Sequence, residues 1–262
     1  MEGVATAQTG GGDPARSMAL LWGSDEPTRT RGRKPGLTVR GIARAAIELA
    51  DAEGLDALSM RRVAERLGVG TMSLYTYVPG KAELLDVMLD AVHLETSPEA
   101  PTGTWPEQLE AVTRDQWALA QRHPWMLHVA TTRPPLGPGI LAKYERELRA
   151  VEGLGLDDVE MDSVVTLVND YVAGAARSAI DAFDVHRSSG IDDTTRWAAT
   201  GPWLAEVLDA ERYPLGTRVG TTAGQHYQAV SDPDHAFEFG LQRVLDGIEV
   251  LVQDRVSGRA AS

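Results

Sequence analysis

Apolar residues recur at intervals of three and four along most of this chain, and no convincing alternation of strand type interrupts them. From Thr38 onward Ile42, Ala46, Leu49 and Ala50 share one helical face, Thr38 is placed as the N-cap, and Gly54 stops the helix. Ser59 can cap a second, short helix that turns Val63, Ala64 and Leu67 inward before Gly68-Val69-Gly70 breaks it. Thr71 can cap a third, running from Met72 to about Val78 and ended by Pro79-Gly80. A fourth carries Leu84, Leu85, Met88, Leu89 and Val92 on one face. Pro98 and Pro101 mark a linker. Beyond it the spacing predicts helices over 105–122, 124–132, 138–152, 158–184, 193–210 and 235–257, with Asp157 and Glu160 as a capping pair. The loop 185–192 and the Gly/Pro-rich stretch 213–235 read as connections, the second long enough to act as a gate or to lack order. The pattern predicts an all-α fold, with a four-helix unit over 37–95 and a larger helical body over 104–257.

Composition adds exclusions. Of 262 residues, 43 % are hydrophobic and 24 % charged, enough to bury a core. The absence of cysteine removes disulfide scaffolds, cysteine-bound metals and cysteine nucleophiles, and suits a reducing, cytoplasmic setting. No apolar run reaches the roughly 18 residues of a membrane span, and none forms a signal-peptide core. Residues 1–36, with Gly10-Gly11-Gly12 and much Ala, Thr and Pro, read as a disordered N-terminal arm. The net charge of −13 argues against nucleic acid until it is located. Residues 29–81 hold 10 Lys/Arg against 5 Asp/Glu, whereas residues 96–262 carry a net −11. A basic region precedes an acidic body, and local charge decides whether a surface displaces counterions from phosphate.

Residues 59–77 have helix-turn-helix logic. Small Ala64 lets a second helix cross closely, Gly68 supplies a sharp reversal, and Val69 and Leu74 can plug the angle between helices. Thr71, Met72, Ser73, Tyr75, Thr76 and Tyr77 then face outward, offering donors, acceptors and apolar contacts with no acid to repel phosphate. Together with Ala52–Leu58 before it and Tyr75-Thr76-Tyr77-Val78-Pro79-Gly80-Lys81-Ala82-Glu83-Leu84-Leu85 after it, this segment resembles the DNA-binding domain of tetracycline-repressor (TetR) family regulators over about residues 38–95. The resemblance implies that Thr71, Met72, Ser73, Tyr75 and Tyr77 reach bases or backbone in the major groove. It makes Lys81 a phosphate clamp at a helix N-terminus, Arg61 a base or phosphate contact, and Ser59 a phosphate donor that can also cap its helix.

Ahead of this domain, Arg29-Thr30-Arg31-Gly32-Arg33-Lys34-Pro35-Gly36 is similar to a minor-groove arm. Arg31 and Arg33 are the expected groove residues and Lys34 a phosphate contact.

In the body, the helix 158–184 is apolar nearly all round, and the last helix carries a broad apolar face through Phe237, Leu241, Val244, Leu245, Ile248, Leu251 and Val252. Core on one side and a second subunit on the other is the simplest account, so a homodimer is expected. Gly240 and Gly247, a heptad apart, would permit close helix approach. Trp117, Trp125, Trp197 and Trp203, with His128, Asn169, Arg177 and Asp181, are the candidate lining of a site for an apolar or aromatic small molecule. Leu127–Pro134 resembles the tetracycline-repressor segment whose histidine meets a ligand-bound magnesium, with His128 at that histidine. The helix expected to add a carboxylate has none at the matching place, and Asp181 lies a turn later, so neither a metal nor another cofactor is expected.

No His-Glu-x-x-His motif and no Gly-x-Ser-x-Gly elbow occurs, and Pro79-Gly80-Lys81-Ala82 lacks the first glycine and the hydroxyl of a phosphate loop. An enzyme is not expected. The resemblance implies a cytoplasmic, dimeric repressor that leaves a palindromic operator when an inducer, such as a drug or secondary metabolite, binds the body. The alternative is a constitutive or architectural DNA-binding protein with no small ligand.

Overall fold

The computed structural model describes residues 7–8, 13–23, 37–97, 99, 101–130 and 133–260. Among them are eleven α-helices and one pair of two-residue strands, β1 (Ala7–Gln8) and β2 (Val129–Ala130), which lie parallel. The helices are α1 (Pro14–Trp22), α2 (Val39–Glu53), α3 (Met60–Leu67), α4 (Thr71–Tyr77), α5 (Lys81–His93), α6 (Trp105–Arg122), α7 (Pro138–Val151), α8 (Asp158–Ser189), α9 (Asp193–Val207), α10 (Pro214–Tyr227) and α11 (Pro233–Ala260).

The N-terminal helices form for the reasons their sequence gives. The Thr38 hydroxyl accepts the Gly41 amide at 3.0 Å, and the Ser59 hydroxyl accepts the Arg62 amide at 3.3 Å. Gly68 ends α3 with φ +68°, and its N–H returns to the last turn, as does that of Val69 to the Ala64 carbonyl. Ile42, Ala46, Val63, Ala64, Leu74, Val78, Leu84 and Met88 are fully buried in one core, which knits α2, α3, α4 and α5 into a helix-turn-helix domain. Thr71 is the first residue of α4, not its cap; Gly70 stands at the cap with no side chain to accept from the first-turn amides.

Four segments differ from expectation, and in one of them, 185–192, read as a loop, α8 continues to Ser189 because its backbone ladder runs on past 184. Residues 14–22, read as part of a disordered arm, form α1: Asp13 caps it through the Ala15 amide, Pro14 opens it, and Leu21 joins the apolar core. The stretch 213–235 contains α10. Interior glycines cost a helix about 1 kcal/mol each, but Gly224 lies flat on the Trp197 ring, where a Cβ would stand 2.1 Å from Cζ2. Over 124–132, the helix expected is a tight turn, Pro124–His128, followed by β2, whose backbone is committed to β1.

The chain divides into two compact units, residues 1–173 with 248–262, and residues 174–247. In the first, the helix-turn-helix domain is joined by α6, α7, the start of α8 and the end of α11, where Arg255 pairs with Glu160. In the second, α9 and α10 pack together, and Phe237, Leu241 and Leu245 are buried. No described helix is long and apolar enough to cross a membrane.

Candidate nucleic-acid interface

Leu74 is the hinge of the site. It is fully buried, and it pins α4 so that the rest of that helix stands out from the domain. Met72 is 78 % exposed, and Tyr75, Tyr77, Ser73 and Thr76 are exposed around it. Thr71 is half-buried at the helix start, and the Thr76 hydroxyl donates to the Met72 carbonyl at 3.3 Å. The Met72 thioether offers an apolar contact at the front of the helix, beside the two phenol rings. The face as a whole presents methyls, hydroxyls and phenols without an acid.

The cations of the domain are less free than their number suggests. Arg62 grips both carboxylate oxygens of Glu53 at 2.7 Å. Arg44 and Arg66 share Glu48, at 3.2 and 3.0 Å, and the Arg66 bond, then the Arg44 bond, hold that carboxyl below its ordinary range. Arg61 is exposed and 3.6 Å from Glu65. Arg40 and Lys81, both exposed, make no ion pair among the described residues. Each sits in the first turn of its helix, where the dipole disfavours a cation. That local misfit is the sequence signal for an anion partner, and it marks Arg40, which the motif reading passed over. Ser59 caps α3 and is half-buried. Arg31, Arg33 and Lys34 lie outside the described residues.

Behind the interface, α5 is locked to the body. Asp90, buried, accepts the Ile140 amide at 2.9 Å at the start of α7. Burial raises its pKa, against the lowering effect of the bonds from Ile140 and Gly139. Gly137 and Gly139 make room: a Cβ on Gly139 would stand 2.0 Å from the Asp90 carbonyl oxygen. A second joint gathers α2 and the end of α6. The His123 ring, buried, has Nδ1 2.8 Å from Asp51 and Nε2 3.1 Å from Glu95, and the Trp125 indole N–H donates to Asp51 at 2.8 Å. Trp125 is therefore part of the N-terminal core and not of a distant wall.

The other candidate ligand residues are spread over both units. In the first, Trp117 is half-buried and His128 exposed, while Asn169 accepts from Lys143 Nζ at 2.9 Å and donates to Glu147 at 3.3 Å. Lys143 and Glu147 are themselves 2.6 Å apart. In the second, Arg177, Asp181 and Trp203 are exposed and Trp197 packs on Gly224. No cluster of three or more acidic or histidine ligands able to hold a metal occurs among the described residues. The sequence reading also missed His93. Burial first, then the charge of Lys143 and of His123, lowers its pKa to about 3, so the ring is neutral at ordinary pH, and its Nδ1 has no hydrogen-bond partner among the described residues.

Two family descriptions match the chain: "Bacterial regulatory proteins, tetR family" over residues 42–88, and "Tetracyclin repressor-like, C-terminal domain" over residues 97–252. A transcriptional repressor of Streptomyces coeruleorubidus, DrrR1, is 45 % identical over 254 residues, covering 96 % of this chain and 91 % of that protein. Apo ActR from Streptomyces coelicolor superposes with a TM-score of 0.69 at 30 % identity, over 85 % of this chain and 99 % of ActR. ActR in complex with actinorhodin gives a TM-score of 0.66 at 30 % identity, over 82 % of this chain and 96 % of ActR.

Proposed function

The chain belongs to the TetR family of transcriptional repressors, and from that premise we propose that it works as a homodimer on a palindromic operator and leaves it when a small molecule binds the helical body. The observation that carries the DNA reading is the exposed Met72–Tyr77 face of α4, held out by buried Leu74. In this reading Thr71, Met72, Ser73, Tyr75 and Tyr77 enter the major groove, Lys81 and Arg40 meet phosphates, and Ser59 and Arg61 flank them. Arg31 and Arg33 reach the minor groove from the arm, with Lys34 on phosphate. Two such faces must span about one turn of duplex, ~34–36 Å. Two-fold symmetry supplies that spacing.

The ligand reading rests on the likeness to ActR, one of whose structures holds actinorhodin. Trp117 and Asn169, with neutral His93 as a hydrogen-bond acceptor, are the first candidates for an aromatic, oxygen-bearing ligand. His128, in the same unit, is tested beside them, and Arg177, Asp181, Trp197 and Trp203 of the other unit are tested as a separate set. Release is a population shift: the ligand lowers operator occupancy only by as much as it prefers the released arrangement. No cofactor and no catalytic step enter this reading.

The test is a mobility-shift titration of the purified protein on the intergenic DNA upstream of its own gene, over a salt series. Tight, palindromic, salt-sensitive binding that a ligand abolishes is expected. Binding that no small molecule perturbs would support a constitutive DNA-binding protein instead, and absence of specific binding anywhere in the genome would sink the regulator reading.

A further inference from the structure

We propose that α1 forms a strap that holds the joint between α5 and the body in its DNA-binding setting; this rests on the DNA-binding reading above. The strap is fastened at three places. The Ser17 hydroxyl donates to Asp86 of α5 at 2.8 Å, both residues being buried, and Leu21 enters the core that contains Leu85, Met88 and Leu89 of the same helix. The Trp22 indole N–H donates to the Leu136 carbonyl at 2.8 Å, just ahead of α7.

These fastenings lie on opposite sides of one joint. Asp86 and Leu85 belong to α5, whose first residue, Lys81, faces phosphate in the proposed complex. Leu136 belongs to the connector that leads into α7. Asp90 closes the same joint directly through the Ile140 amide. A displacement of α5 along α7 must therefore break the Ser17–Asp86 bond, lift Leu21 from its core or draw Trp22 off Leu136. A joint held in one setting loses less freedom when two domains dock at once, so the strap strengthens operator binding by preorganisation. It touches no phosphate in this account, and its loss leaves the salt dependence unchanged.

The probe is the duplex that the wild-type chain selects from a random DNA pool. Ser17→Ala in the full chain is expected to weaken binding about threefold to tenfold, the size of one buried hydrogen bond, and Leu21→Glu, which puts a carboxylate into the core, at least as much. Salt slope and base preference should stay as in the wild type. The chain has no cysteine, so Ser17→Cys with Asp86→Cys introduces the only thiols, and joining them with a short thiol cross-linker should restore wild-type affinity. Thermal melting confirms that each variant is folded. If the wild type binds and every folded variant binds within twofold of it, or if the cross-linked form is weaker than the open one, the strap is wrong. A wild-type chain that selects no duplex overturns the DNA-binding reading itself, and the strap with it.

Discussion

Tyr77 and Lys81 are four residues apart and should fail in different ways. Tyr77→Ala or Thr71→Ala is expected to relax base preference at one operator position, at about 1–3 kcal/mol for a lost direct contact. Lys81→Ala and Arg40→Ala should weaken all sequences alike and each lower the salt slope by about 1. Binding to a panel of singly substituted operators at three salt concentrations separates the two patterns, and a change of preference in Lys81→Ala would reverse the assignment. His93 sets a different test. Its folded pKa, about 3, lies below the ordinary 6.5, so the unfolded chain binds more protons and stability falls as pH drops from about 6.5 toward 3. In His93→Leu that contribution is gone. Its melting temperature should gain on the wild type progressively as pH falls from 7 to 4; parallel curves would show that the ring is not held neutral. Sequence made the α4 residues legible because their exposure follows from one buried leucine and two flanking breaks. It did not show the state of the arginines, because Glu48 and Glu53 reach Arg66 and Arg62 only across a tertiary contact.

Among the elements, α2 to α5 were readable because caps and apolar spacing agree with the packing they produce. α1 and α10 were not, because each is made stable by something remote in sequence: Asp86 and Leu136 for one, the Trp197 ring for the other. Glycine-rich composition hid α10, whereas the glycine at 224 is what lets the ring approach. The α5–α7 joint uses the same device and gives a paired prediction. Gly139→Ala should destabilise by about 1–3 kcal/mol, the cost of overpacking, as its methyl meets the Asp90 carbonyl. Gly174→Ala, inside α8 with nothing within 4 Å, should stabilise by up to about 1 kcal/mol, the difference in helix propensity. Denaturant unfolding of both measures the contrast, and equal effects would mean that the α5–α7 contact is looser than described.

For the whole molecule, the proposed dimer predicts where apolar surface goes. Val159 and Leu167 on α8 and Val250 and Val256 on α11 are at least half exposed in the single chain. Leu167→Arg with Val250→Arg should yield monomers by sedimentation and cost palindrome binding far more than half-site binding; a variant that still sediments as a dimer would place the interface elsewhere. The ion pair between Glu160 and Arg255 has a consequence of another kind. The two residues are 95 positions apart, and a ribosome adding about 5–20 residues per second takes about 5–20 s to travel between them. For that interval Glu160 and the opening turns of α8 have been made while the helix end that carries Arg255 has not. The newborn chain thus carries a helix-turn-helix able to fold early and an α8 whose opening carboxylate waits for its partner cation until almost the last turn is made.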